Sequence, residues 1–308
     1  MALLLKKKNS ESNTEYSNAN SKYPTVDSRY LKANLGWLYY KHYYEDQLQP
    51  DILVNRNETI LKRTFHKENR FDLPVNCKFD LKVDYPGLLF GSGYTHEAIF
   101  KDKDKEDAFK IGFFFDHVTG MPVIPGHSIK GVLRAAFPNH HHEKYADTKS
   151  EMIVEYLKGI DIKSCFDKYL EQHKISGVVY SETIFADLLG HIIFEGEEPY
   201  AYIKNKFVYK QISLYKRDIF HDAYISKSGK DNLFMGTDYI TPHADPLKNP
   251  NPIKFLKILP KVEIQFQFDL KDDLIKKDLK ETLFKKILLD FGIGAKTNVG
   301  YGQFSEIK

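Results

Sequence analysis

Lys296, Thr297 and Asn298 stand side by side between Gly292, Gly294, Gly300 and Gly302, four glycines in eleven residues. A cation, a hydroxyl and an amide can surround a phosphate with donors. Glycine lets a ligand approach the main chain and permits positive φ. The stretch is not a Walker A loop, because Ala295 occupies the position where that motif needs Gly. Nor is it a dinucleotide fingerprint, whose third glycine would fall on Thr297. A helix precedes it and a strand follows, the reverse of both nucleotide motifs. A tight helix-to-strand turn would use the same glycines, and the residues alone leave both readings open.

A second stretch, Gly120-Met-Pro-Val-Ile-Pro-Gly-His-Ser-Ile-Lys-Gly-Val-Leu-Arg134, turns sharply at Pro125-Gly126 and enters a helix over 127–137. Ile129, Val132, Leu133, Ala136 and Phe137 form its apolar stripe. Ser128 stands near the helix N-terminus, where unpaired N–H groups suit an anion, and Lys130 and Arg134 share a face. An ordinary capped helix with two solvated cations fits the same residues. His140, His141 and His142 are consecutive and flanked by Pro138 and Asn139, which reads as a solvated loop before a metal site. His96, His127, His221 and His243 have the chemistry of a general acid or base, but no spacing pairs any of them with a partner.

The elements that must position these residues are legible in part. Phe79, Leu81, Val83 and Tyr85 alternate with Lys78, Asp80, Lys82 and Asp84 as a strand with one buried face, running into the turn 86–93. Residues 101–106 read as an exposed charged loop and Ile111–Phe115 as a short strand. A helical region is expected over about 148–172, then strands at Val178–Phe185 and His191–Phe194. Val262, Ile264, Phe266, Phe268 and Leu270 alternate with polar residues in the clearest strand of the chain. A helix over 272–291 should bury Ile275, Leu279, Leu283, Ile287, Leu288 and Phe291, before a last strand over 301–307. Strands with two unlike faces and helices on one side describe an α+β, ferredoxin-like antiparallel sheet, a plan that leaves a sheet face or its loops free for RNA. The expected divisions are a flexible polar tail over 1–30, a helical N-terminal extension over 31–76, and a main domain over 77–308. That domain would hold a polar, partly mobile insertion around 205–250. The aromatic segment Asn34–Tyr44 would be a helix that covers the core or docks another protein.

At 308 residues and 42% hydrophobic content the chain has ample core, while a net charge of +3 makes no case for nucleic acid. Arginine is scarce, six residues against 39 lysines among the 45 basic ones. Cys77 and Cys165 have no metal-ligand spacing, and the four apolar residues Ala2–Leu5, with lysines after them, do not make a signal peptide. With no stretch able to span a bilayer, the expected location is the cytoplasm.

The pair of motifs from Pro122 and from Gly292 resembles the RAMP superfamily of CRISPR–Cas proteins, and within it the family of sixth subunits of the type III-B Cmr complex. Asn34-Leu-Gly-Trp37, Phe90-Gly-Ser-Gly93, Asp238-Tyr-Ile-Thr-Pro-His243 and Asn249–Leu256 strengthen that likeness, which covers most of the chain; His127 departs from it where relatives carry a second serine. The resemblance implies a ferredoxin-like RNA-binding core, no cofactor and no metal. It also implies partners: guide and target RNA, a neighbouring backbone RAMP subunit, the other terminal RAMP subunit and a small helical subunit. The sixth subunit sits near the guide's 3′ end, capping the backbone stack. Phosphate contacts would fall on Ser128, Lys130, Arg134, Lys296, Thr297, Asn298 and the main chain at Gly292, Gly294, Gly300 and Gly302. RAMP subunits that cut RNA carry an aspartate just before the first motif, where this chain reads Ile111-Gly-Phe-Phe-Phe115. A non-catalytic RNA-binding subunit is therefore the expectation, with a RAMP endoribonuclease as the alternative.

Overall fold

The structure is a computed structural model that describes residues 30, 32–44, 50–66, 71–91, 108–109, 112–138, 143–240 and 252–307. Residues 1–29 of the expected tail, the charged stretch 101–106, Ile111, residues 241–250 of the expected insertion, His96, His140–His142 and His243 lie outside the described residues.

The chain begins with α1 (Leu35–Tyr40), whose first turn is capped by the Asn34 side chain accepting from the Trp37 amide at 2.9 Å. The aromatic segment covers the core: Leu35, Leu38, Tyr39 and Tyr43 are buried, and the Tyr40 hydroxyl bridges the Phe113 carbonyl and the Phe115 amide. Helix α2 (Pro50–Leu61) follows. Strand β1 (Cys77–Val83) then alternates buried and half-buried residues as the sequence predicts, although Tyr85, expected on the buried face, lies beyond the strand and is 85% exposed. Residues 112–115 are not a strand; only Phe115 pairs, in an isolated bridge to Pro122, because Phe113 and Phe115 are held by packing against Tyr39 and Phe90.

Strand β2 (Val123–Ile124) leads into α3 (Gly126–Ala135). The helical region expected at 148–172 consists of two helices, α4 (Ala146–Tyr156) and α5 (Ile162–Gln172). Gly159 at φ +105° breaks the run and Asp161 caps the second helix. The strand expected at Val178–Phe185 is instead α6 (Glu182–Gly190), started by Ser181, whose hydroxyl accepts from the Ile184 amide. His191–Glu195 continues it as a π-turn, not a strand, ending at Gly196 with φ +64°. A mostly apolar stretch buried on more than one side, as Phe185, Ala186, Leu188, Leu189 and Ile192–Phe194 are here, carries no period that separates helix from strand.

Residues 205–240, the described part of the stretch expected to be an insertion, are built into the sheets. After β3 (Glu197–Ile203) they supply β4 (Lys206–Gln211), β5 (Ile219–Phe220), β6 (Ala223–Lys227) and β7 (Met235–Ile240). Strands β8 (Ile253–Ile258) and β9 (Glu263–Asp269), helix α7 (Lys277–Phe291) and β10 (Phe304–Ser305) complete the chain. The main sheet runs β10-β1-β9-β6-β2, with β5 also paired to β9, and all its pairings are antiparallel. Strands β3–β4 and β7–β8 form separate hairpins. This is the expected α+β, ferredoxin-like plan.

One sheet face holds the core. Phe79 lies opposite Phe266, and the rings of Phe268, Phe220, Phe284 and Phe194 join β9, β5 and α7 at centroid distances of 5.4–5.8 Å. Helices α3 and α7 pack together on that side. Phe291, expected to be buried, is 46% exposed because it stands at the C-terminal end of α7. The opposite face is not wholly open. Gln267 accepts from the Leu73 amide and donates to the Phe71 carbonyl, and the Phe71 ring rests 4.7 Å from Tyr224. The extended residues 71–76 thus cover β9 and β6, so that Gln265 and Gln267 are buried despite their alternating pattern.

Candidate nucleic-acid interface

Helix α7 buries Leu283, Phe284, Ile287 and Leu288 and ends at Gly292, whose φ of +66° turns the chain out of the helix. The following loop is zipped to its own frame. The Ile293 amide donates to the Gly302 carbonyl at 2.9 Å, Ala295 to Leu89 at 2.7 Å, and Gly302 to Gly87 at 2.8 Å. A Cβ at Gly292, Gly294 or Gly302 would lie 2.4, 2.3 or 1.9 Å from a backbone carbonyl oxygen. Those three glycines permit chain-on-chain contact, and Gly292 and Gly302 are buried, which corrects the expectation that their main chain meets RNA. Gly300 differs. At φ +94° its Cβ direction meets only Pro86 Cδ at 3.5 Å.

The tip of the loop remains available. Lys296 adopts φ +61°, and its carbonyl accepts from the Val299 and Tyr301 amides. The successive amides of Lys296, Thr297 and Asn298 have no hydrogen-bond partner among the described residues, nor has the Lys296 ammonium an ion-pair partner. Consecutive free N–H groups beside a left-handed residue form an anion-binding concavity. Beside it, through Pro86, stands Tyr85, an exposed ring that sequence reasoning placed in the core; its position next to Pro86 was the available signal. Tyr301 donates to Asp238 at 2.6 Å, and Lys257 binds the same carboxylate oxygen at 2.7 Å. Burial works against the Asp238 charge, but the bonds from Lys257 and Tyr301 outweigh it and hold the carboxyl below its usual range. Burial, then Asp238, pushes the Tyr301 phenol up, so it stays a donor. The structure therefore joins the glycine-rich loop, the turn at 86–91 and the Asp238 segment at one place.

The helix motif is used differently. The Gly126 amide donates to the Asp222 carboxylate at 2.7 Å, so an acidic side chain already occupies the start of α3. Arg134 is not free for phosphate, since its guanidinium pairs with Glu195 at 2.9 Å and donates to the Pro138 carbonyl at 3.0 Å. Lys130 has no partner among the described residues, and neither has the Ser128 hydroxyl. Nor do the two motifs form one pocket. The loop adjoins the C-terminal end of β1, through Val83 opposite Phe304, whereas Gly126 lies against Phe220, which pairs with Phe268 opposite Cys77 at the other end. A seven-residue strand separates them, roughly 20 Å at the usual rise. The Asn34 segment packs elsewhere, donating to the His117 carbonyl and crowding Gly120 ahead of Pro122.

Among the described residues no helix is long and apolar enough to cross a membrane. Comparison with curated proteins finds no match. Among solved structures, the chain is similar to one in type III-B Cmr-β bound to cognate target RNA, at 19% identity over 91% of this chain and 85% of the other, with a TM-score of 0.44. It is also similar to Cmr6 from Pyrococcus furiosus, at 21% identity over 75% and 97% with a TM-score of 0.37. A third similar chain, from a type III-A Csm–crRNA–target RNA complex, gives 16% identity over 69% and 74% with a TM-score of 0.30. The family model described as the RAMP superfamily matches residues 80–305, from β1 through the glycine-rich loop to β10, and the chain belongs to that superfamily.

Proposed function

We propose that this chain is a non-catalytic, guide-RNA-binding and assembly subunit of a cytoplasmic type III-B (Cmr) CRISPR effector, capping the guide's 3′-end side of the backbone subunits. Residues 77–308 form its RNA-binding unit, 31–76 an extension that braces it, and 1–30 a tail. The observation that carries the reading is the loop tip, where three adjacent free amides, the Lys296 ammonium and the exposed Tyr85 ring stand on a frame zipped by backbone hydrogen bonds. Such a site binds a phosphate and stacks a base without reading sequence. Lys130 and Ser128 at the far end of the sheet would meet the same strand several nucleotides away.

Three placements support a role without catalysis. Phe113 and Phe115 are fully buried where cutting relatives carry the aspartate implied by the resemblance. Asp116 accepts from the amide and hydroxyl of Thr119 and shapes the turn ahead of β2. His221 is tied to Asp269 at 3.1 Å, and exposed His127 has no acid–base partner among the described residues. The test is incubation with labelled guide and target RNA, with and without magnesium, followed by pull-down with the neighbouring subunits. Binding and guide-dependent assembly without new RNA ends are expected. Cleavage abolished by His127→Ala would establish the endoribonuclease reading instead.

A further inference from the structure

A cavity of about 440 Å³ opens where the segment before α1, the end of α2 and the turn ahead of β2 meet. Its lining includes Lys32, Arg63, Thr64, His66, Thr119 and Gly120. None of these belongs to the glycine-rich loop or its frame, and β2 is the edge of the main sheet opposite β10. Three of the described lining residues can carry positive charge, and none can carry negative charge. Thr119 turns its amide and hydroxyl to Asp116, which does not line the cavity.

The Arg63 guanidinium donates to the carbonyls of Tyr30 and Ala33, which ties the end of α2 to the segment before α1. Burial disfavours its charge and lowers its pKa, and an anion brought alongside would favour that charge. Lys32 is an exposed ammonium without an ion-pair partner among the described residues. His66 is also exposed, with its Nε2 3.0 Å from the Thr64 hydroxyl. Cations on two separate segments thus converge on one space. A carboxylate offers two oxygens in one plane, whereas a phosphate monoester offers three and up to two charges. A backbone phosphodiester carries one charge and continues at both ends, which suits a groove better than a cavity. The volume lies within the range of small-ligand sites. The side chain of Asn34, also in the lining, caps the Trp37 amide, and the Trp37 ring is 43% exposed. A nucleoside carried on a phosphate in the cavity would find that indole on the same segment as a surface for its base.

We propose that this cavity binds the phosphate monoester of a nucleotide, either the terminal phosphate of an RNA strand or that of a free mononucleotide. The RNA source rests on the proposed function; the recognition of the monoester does not. The test is calorimetric titration of the full chain with AMP, adenosine, succinate and a phosphoserine peptide. One short single-stranded RNA completes the set in three forms, with a 5′-phosphate, a 3′-phosphate or hydroxyls at both ends. AMP or a phosphate-ended RNA should bind about 10-fold more tightly than its unphosphorylated counterpart. Lys32→Ala should remove most of that preference, Lys32→Glu should abolish it and Lys32→Arg should keep it, while thermal melting confirms the fold. A preference confined to RNA identifies the strand end as the source, and one confined to AMP identifies the mononucleotide. Equal affinity for phosphorylated and unphosphorylated forms, or a preference unchanged in Lys32→Ala, would overturn the proposal. So would Lys32-dependent binding of succinate or the phosphoserine peptide in place of the nucleotides. Binding of the hydroxyl-ended RNA should survive Lys32→Ala and weaken in Lys296→Ala, so failure of this site and failure of the RNA-binding reading give different results.

Discussion

Replacing Asp273 by Asn should stabilise the protein at neutral pH and flatten its stability profile between about pH 4 and 6. Lys280 of α7 is fully buried between Asp218 at 2.6 Å and Asp273 at 2.5 Å, so two carboxylates face one ammonium away from water. The second oxygen of Asp218 accepts from the Lys271 amide, whereas Asp273 Oδ1 is buried with no hydrogen-bond partner among the described residues. Burial raises Asp273, Lys280 opposes the rise, Asp218 adds to it, and the carboxyl reaches about 6 from an ordinary 3.8. A carboxyl raised in the folded state contributes stability that is fully present below pH 3.8 and is lost as pH climbs through 6. At ~1.4 kcal/mol per pH unit, that loss is ~3 kcal/mol. Asparagine holds the neutral state at every pH and keeps an oxygen for Lys280. Urea denaturation from pH 4 to 7.5 should show parent and variant nearly equal at the acid end, with the variant ahead by up to ~3 kcal/mol at the other. Parallel profiles, or a variant less stable at pH 7.5, would refute the reasoning.

Three further substitutions separate packing from binding. Gly302→Ala forces a Cβ to within 1.9 Å of the Ile293 carbonyl and should cost on the order of 4 kcal/mol or prevent folding, whereas Gly300→Ala, crowded only by Pro86, should cost ~1–2 kcal/mol for its positive φ; thermal melts compare them. Arg134→Ala loses a half-exposed pair with Glu195 and the bond to the Pro138 carbonyl, so stability should fall by ~1 kcal/mol while the salt dependence of RNA binding stays unchanged. Lys296→Ala should leave melting unaltered and reduce the log–log salt slope of single-stranded RNA binding by about 0.7, equally for unrelated sequences.

Where side-chain pattern and packing agree, the sequence was readable. Strand β1, strand β9, the core of α3 and α7, and the antiparallel character of the sheet follow from alternation and from an i, i+3, i+4 stripe, whereas the direct pairing of β1 with β9 does not. It misled where burial is two-sided. Gln265 and Gln267 look like a solvent face, yet residues 71–76 cross over them and satisfy the Gln267 amide. The apolar run 184–194 fits strand or helix equally, and only the Ser181 cap distinguishes them. Polar composition hid β6, whose Ala223, Tyr224 and Ile225 are buried in the main sheet. Within the site, the glycine pattern located the loop but not the division of labour among its glycines, because the opposing carbonyls come from Leu89 and Ile293 as the loop closes on itself. Arg134 and the Gly126 amide find partners in Glu195 and Asp222, which lie 61 and 96 residues away and leave no local signal.

The loop tip is tested most directly by residue-resolved amide hydrogen exchange with and without single-stranded RNA that the full chain is shown to bind. The amides of Ile293, Ala295 and Gly302 donate to carbonyls and should be protected in both states. Those of Lys296, Thr297 and Asn298 should exchange rapidly alone and slow by ~10-fold or more when RNA occupies them. RNA binding that leaves these three amides as fast as in the free protein would contradict the account.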